Sequence, residues 1–221
     1  HNQEELLKQF EEDFYAALKV GISLNPILNS FQKTILKYDI DISLVDAFMR
    51  SMKMDLYKTQ YSTKEEYKQY IYGSADVVGL MCLKVFVEGD QSLYESLKES
   101  AMRLGSAFQK VNFLRDIKND LDMLNRSYFP QVDLEKLDEP SKDVIIKEIE
   151  EDFQAAKIGI AQLPLVAKLG VYTAYLYYFE LLIKLKKTPS SRLLETRIRV
   201  NNFMKSYLFF KSYVKVKFNF V

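Results

Sequence analysis

Gln109, Asn112, Asp116 and Asp120 stand at spacings of three, four and four within the stretch GSAFQKVNFLRDIKNDLDMLNRSYFP, residues 105–130. At 100° per residue their side chains fall within roughly 80° of a helix circumference, one polar stripe about three turns long. Its borders are not those of a solvated face: Ala101, Gly105 and Phe108 lie on one side, Met102, Phe113 and Ile117 on the other. Carboxylates with helper amides among apolar and small residues read as the wall of a cavity. Without a cationic partner they would be costly there, and a hard divalent cation is the simplest way to offset that cost. Mg2+ takes oxygen ligands, keeps several waters, and is usually held by one or two carboxylates plus substrate phosphates. Asp116 and Asp120 reach such ions from adjacent turns, and Arg115 and Arg126 can meet phosphate oxygens with paired hydrogen bonds. A bare Asp-x-x-x-Asp is more often an ordinary ion-paired face. Gln109, Asn112, Arg115 and the Arg-Ser-Tyr-Phe-Pro tail in register favour the metal.

Gln109-x-x-Asn112-x-x-Arg115-Asp116-x-x-x-Asp120, followed by Arg126-Ser-Tyr128-Phe-Pro130, resembles the second aspartate-rich motif of squalene/phytoene synthases. Three further blocks are similar to that family and come in its order. They are Met52-Lys-Met54-Asp55-Leu56 with Tyr61 and YIYGSADVVGLM (70–81), Gly170-Val-Tyr172-x-Ala174-Tyr175-x-Tyr177-Tyr178, and Arg197-Ile-Arg199-Val-x-Asn202. Each block alone is weak; together they are specific and cover nearly the whole chain. The family carries a first aspartate-rich motif on an upstream helix, and nothing before Asp55 reads as that motif. Glu11, Glu12 and Asp13 read as a solvated helix face. The expectation is that the sequence begins just after the first motif and holds half of a metal site. Asp76 stands where the family usually has Gly, which would put a charge near the substrate channel, and Asn119 where it often has an acid.

The resemblance implies an all-α, single-domain isoprenoid-synthase-type helical bundle around a central apolar cavity, residues 1–221. It implies a prenyltransferase that joins two allylic diphosphates head to head through a cyclopropyl diphosphate. Asp116 and Asp120 would be the metal ligands, with Mg2+ as cofactor and Mn2+ as substitute. Gln109 and Asn112 would complete the polar end, Arg115 and Arg126 would contact diphosphate, and Tyr70, Tyr128 and Tyr177 would orient phosphate or face carbocations. Each tyrosine reads equally well as core packing. Ala75, Val78, Cys82, Ala101, Leu104 and Phe108 would line the prenyl tunnel, an apolar channel that keeps water from cations. Gly73, Gly79 and Gly105 permit either that channel or close helix packing. The compact YIYGSADVVGLM block is most like bacterial phytoene synthase, which uses geranylgeranyl diphosphate in carotenoid biosynthesis and needs no NADPH. Squalene or dehydrosqualene synthase, using farnesyl diphosphate, is the second reading. A class I terpene cyclase would carry Ser/Thr and Glu in its second motif, which residues 118–124 do not supply. A non-catalytic helical binding module derived from a synthase is the alternative of another class.

Composition agrees. The 221 residues, 48% hydrophobic, can bury a substantial core. A net charge of +1 with evenly mixed charges argues against nucleic acid as a partner. His1 is the only histidine, so histidine catalysis is excluded, and the single Cys82 rules out an internal disulfide. No signal peptide or spanning segment is evident, so the expected location is the cytoplasm. The C-terminal FMKSYLFFKSYVKVKFNFV mixes Lys205, Lys211, Lys215 and Lys217 with Phe and Tyr. It reads either as a segment in peripheral contact with the inner face of a membrane or as a final packed helix.

The elements that must position these residues are helices. Leu6, Phe10, Phe14 and Leu18 give one from Asn2 to Val20, and Asn25-Pro26 opens the next. Ser43 is expected to cap a helix through Met54, and Ser62-Thr63-Lys-Glu65-Glu66 resembles a capping box at the start of a helix reaching Val87. Gly89-Asp90 is a turn before helix 92–124; residues 128–140 form the longest loop. Helices at 141–162 and 165–187 follow, and Pro189-Ser-Ser starts the last.

Overall fold

A computed structural model of the chain describes residues 2–124, 128–130, 132 and 137–221. No β-strand occurs among them; the fold is all-α. Helices α1 (Gln3–Val20), α2 (Pro26–Tyr38) and α3 (Ile42–Tyr57) come first, then α4 (Lys64–Ile71), α5 (Val77–Phe86), α6 (Gln91–Leu124), α7 (Glu139–Ile160), α8 (Leu165–Lys187), α9 (Ser190–Leu193) and α10 (Asn202–Lys217). Caps explain the boundaries. Asn2, Asn25 and Asn201 each accept an amide N–H at a helix start. Thr63 and Glu66 form the expected capping box of α4.

Three boundaries differ from the sequence reading. The cap of α3 is Asp41, whose carboxylate accepts from the Ser43 amide at 2.8 Å, so Ser43 lies inside the helix. Asp138 caps α7 ahead of Pro140, starting that helix at Glu139. The last helix is broken: α9 is one turn, residues 194–201 run without helix, and α10 starts at Asn202. In Thr196-Arg197-Ile198-Arg199-Val200, exposed arginines alternate with half-buried Ile198 and buried Val200. That period of two suits an extended segment better than a helix.

α4 and α5 are one rod interrupted by a π-helical turn, Tyr72–Asp76, where the Val77 amide reaches the Tyr72 carbonyl. Such turns recur at functional sites. Around the rod, two apolar clusters form. One packs Phe14, Leu28, Val45, Val77 and Leu80 from α1, α2, α3 and α5. The other packs Val111, Leu114, Ile149, Phe153, Leu181 and Leu182 from α6, α7 and α8. Fully burying a residue such as Phe153 stabilises by about 2–3 kcal/mol. α6 runs between the two, packed along both α5 and α7.

Close backbone approaches fix that arrangement. A Cβ on Gly105 would meet the Ala75 carbonyl oxygen at 2.6 Å, and one on Gly79 the Ala101 carbonyl oxygen at 2.6 Å. Gly73 faces Ser51 and Ala47 of α3 just as closely. These glycines therefore serve close helix packing, and Gly79 and Gly105 line the cavity as well.

Candidate active site

Between the two clusters lies a cavity of about 550 Å³. All six residues expected to line an apolar tunnel sit in its wall: Ala75 and Val78, Cys82, Ala101, Leu104 and Phe108. α7 and α8 complete it through small residues, Ala156, Gly159, Ala167, Gly170 and Ala174. Val166, 92% exposed, marks where it meets solvent. Cys82 is not the buried hydrophobe its residue type predicts; it is exposed into this space, while surrounding protein pushes its thiol pKa up. A raised thiol is a poor nucleophile.

Gln109 is, with Ser100, one of two polar residues of α6 in the cavity wall. Asn112 and Asp116 follow one and two turns along, so the carboxylate stands about 10 Å from Gln109 at 1.5 Å per residue. The Asn112 side-chain oxygen is buried and has no hydrogen-bond partner among the described residues; the Ser74 hydroxyl in the cavity wall is in the same condition. Such atoms are expensive unless something else meets them.

Asp116 is gripped from two sides. Arg115 donates from Nε at 3.0 Å and from Nη2 at 2.5 Å, and Arg197 donates from Nε at 2.7 Å. The Asp116 hydrogen bond raises the Arg115 pKa, and the Tyr178 and Tyr177 phenols act in the same direction. Arg197 is the functional candidate to which the sequence assigned no role. It arrives from the extended segment, which Lys118 ties to α6 by donating to the Glu195 carbonyl at 2.8 Å. Asp120 lies one turn beyond Asp116, partly buried. Arg126 lies outside the described residues.

The tyrosines separate. Tyr70 and Tyr128 belong to a buried aromatic stack: Phe113 and Tyr128 are 3.8 Å apart and nearly parallel, and Tyr61 and Tyr70 are 4.6 Å apart. Tyr70 donates to Asp55 of α3 at 2.8 Å; burial first, then that carboxylate, holds its phenol far above the ordinary range. Tyr177, on α8, packs edge-on to Tyr178, which stacks on Phe108 at 4.1 Å. Two aromatic groups thus flank the polar stripe, one beside Phe113 and one beside Phe108.

Asp76 does not enter the cavity wall. It turns to α6, where Ser106 donates to it at 2.7 Å. Beyond lies a buried ionic network: Asp152 of α7 accepts from Arg103 at 2.8 Å and from Lys110 at 2.7 Å. Burial, partly offset by Ser106 and Lys110, raises the Asp76 pKa from 3.8 to about 6.

Among the described residues no group of three or more His, Cys, Asp or Glu side chains could hold a metal ion. The donor set is smaller: two carboxylates one turn apart and the orphaned Asn112 oxygen. Hard oxygen donors in that number fit an Mg2+ ion shared with phosphate oxygens, not a protein-only cage.

Residues 1–203 match the family model described as squalene/phytoene synthase. The chloroplastic phytoene synthase of an Oncidium hybrid cultivar is 30% identical over 69% of this chain and 41% of its own length. The phytoene synthase of Arthrospira platensis is 28% identical over 83% and 66%. The chain thus spans about two fifths of the plant relative and two thirds of the cyanobacterial one. Among solved structures, a dehydrosqualene synthase in complex with ligand superposes with TM-score 0.80 over 96% of this chain and 78% of its own, at 17% identity. A squalene synthase from Alicyclobacillus acidocaldarius gives TM-score 0.72 over 85% and 74%, at 20% identity.

Proposed function

The chain belongs to the squalene/phytoene synthase family, and from that premise we propose that it joins two molecules of geranylgeranyl diphosphate head to head to give phytoene. The observation that carries the reading is the junction on α6 of an apolar cavity of about 550 Å³ with a carboxylate, amide and arginine end. One end takes hydrocarbon and the other diphosphate.

One substrate loses diphosphate, its allylic cation alkylates the double bond of the other, and loss of a proton closes a cyclopropyl diphosphate. That intermediate loses the second diphosphate, rearranges, and loses a proton to give the C40 hydrocarbon, with no reductant needed. Arg115 and Arg197 hold the diphosphate oxygens, turning to them from Asp116. Asp116 and Asp120, with Asn112 beside them, would hold Mg2+, or Mn2+ in its place. When bound, the ion neutralises charge on the departing diphosphate. Tyr70, Tyr128 and Tyr177 are not in the cavity wall; their part is to hold α4 and α8 against the polar end of α6 through ring packing. Ala75, Val78, Cys82, Ala101, Leu104 and Phe108 exclude water from the cations.

Phytoene synthases among the relatives support the C20 substrate. The test supplies geranylgeranyl and farnesyl diphosphate separately to the full-length protein with Mg2+ and identifies hydrocarbons by mass spectrometry. A C40 product from the C20 substrate is expected. A C30 product would move the reading to squalene or dehydrosqualene synthesis, and no hydrocarbon from either would overturn it.

A further inference from the structure

α10 buries only one line of side chains. Leu208, Ser212 and Val216 face α8, where the Ser212 and Thr173 hydroxyls meet at 2.8 Å. On the opposite face Phe203, Tyr207, Phe210 and Val214 stand at i, i+4, i+7 and i+11, exposed by 84, 53, 65 and 49%. They form an apolar stripe about 16 Å long, and Phe218 and Phe220 continue it at 60 and 70% exposure. A stripe of this size on a surface marks a binding face. Nearly all of α10 lies beyond residue 203, where the family match ends.

Charge decides what the stripe meets. Residues 197–221 contain Arg197, Arg199, Lys205, Lys211, Lys215 and Lys217 and not one Asp or Glu. A second copy docked stripe to stripe would bring like charges together. A nucleic-acid face would be dominated by cations; here exposed Lys205, Lys211 and Lys217 are interleaved with exposed Phe203, Phe210, Phe218 and Phe220, and Lys211 and Lys217 lie over the Tyr207 and Tyr213 rings. Exposed rings interleaved with lysines match a bilayer surface, where rings enter the acyl boundary and lysines meet anionic headgroups. The helix has 16 residues, and no helix among the described residues is long and apolar enough to cross a membrane. α10 lies on the surface instead.

Register adds a second observation. Ser212 pairs with Thr173, and Lys205 lies over the Tyr177 ring, so α10 runs antiparallel to α8. Its C-terminal end therefore reaches the start of α8, where exposed Val166 stands at the cavity mouth beside exposed Leu165. We infer that α10 docks this protein on an anionic lipid surface and thereby turns the cavity mouth toward the bilayer.

The test is flotation with extruded vesicles of phosphatidylcholine alone or mixed with phosphatidylglycerol, which needs no turnover and so stands apart from the reading of the reaction. Binding to the anionic vesicles is expected to exceed that to neutral ones by about tenfold and to weaken as salt is raised. The double substitution Phe203→Ser, Phe210→Ser should reduce it by about tenfold or more with unchanged circular dichroism, because both rings are exposed. Lys211→Glu with Lys217→Glu should erase the preference for anionic lipid. Wild-type protein that ignores anionic vesicles would overturn the inference. So would a serine variant that binds like wild type, a dimer abolished by the serine substitutions, or a preference for single-stranded DNA over vesicles.

Discussion

Replacing Asp76 by Asn should stabilise the protein, and by an amount that grows with pH. The carboxyl faces Ser106, Lys110 and Arg103 of α6 and Asp152 of α7; burial outweighs its partners and lifts its pKa from 3.8 to about 6. The unfolded chain therefore ionises this group more readily than the folded one. Below about pH 4 both states are protonated and no penalty exists. Between pH 4 and 6 the unfolded state gains, and above 6 the penalty levels off. At 1.36 kcal/mol per pH unit it amounts to about 3 kcal/mol at pH 7 and about 1.5 kcal/mol at pH 5. Asn cannot ionise, yet its oxygen still accepts from the Ser106 hydroxyl at the same place, so the gain should approach those values. Urea unfolding of wild type and Asp76→Asn at the two pH values measures it, because carboxylates elsewhere cancel in the difference. A gain that is flat or falls from pH 5 to 7 would refute the reasoning and show that Lys110 and Arg103 hold Asp76 charged.

Asp116→Asn and Asp120→Asn should each lower hydrocarbon formation by at least about a hundredfold. Asp116 is partly buried against Arg115, so Asp116→Asn should also lower the unfolding free energy, by about 1–3 kcal/mol; near-normal turnover would remove these residues from the metal site. Asp152→Ala, by contrast, takes a buried carboxylate from Arg103 and Lys110, leaving Lys110 only the half-exposed Glu148, and should cost about 1.5–3 kcal/mol in urea. Gly105→Ala places a Cβ against the Ala75 carbonyl at 2.6 Å and should lower thermal stability by about 1–3 kcal/mol, read by calorimetry. Ala101→Phe narrows the cavity and should shift the product ratio from C20 toward C15 substrate by about tenfold; an unchanged ratio would place the chain terminus elsewhere.

The polar stripe of α6 was legible because helical geometry alone decides which side chains share a face. Gln109, Asn112 and Asp116 needed only the 3.6-residue period, whereas the lining roles of Ala101, Leu104 and Phe108 came from the family resemblance. Arg197 was not legible in that way. It reaches Asp116 across 81 positions from a segment without helix, and only the packing of α8 and α9 decides where that segment passes. Its signal was the alternation in residues 196–200, which the helical reading after Pro189 overrode. Asp76 was placed near the channel by its position in the family's motif alone; which way its carboxylate turns was not legible, and the structure directs it to Ser106, next to cavity-lining Ala75. The glycines illustrate a third limit: whether a missing Cβ makes room for a ligand or for another backbone depends on the partner helix, and here Gly79 and Gly105 do both.

The π turn at Tyr72–Asp76 also bears on how this sequence can vary. It holds one residue more than an α-helical turn needs, so removing any one of them would let the rod relax into regular helix. The two halves would then be rotated by about 100° against each other. Either Tyr70 would leave Asp55 and the Phe113 stack, or Val78, Gly79 and Cys82 would leave the cavity wall. Point substitutions here change one contact, while a change of length by a single residue breaks one of the two sites outright. Lineages that keep both should therefore keep Gly73 against α3, vary more freely at the other four positions, and remain fixed in their number.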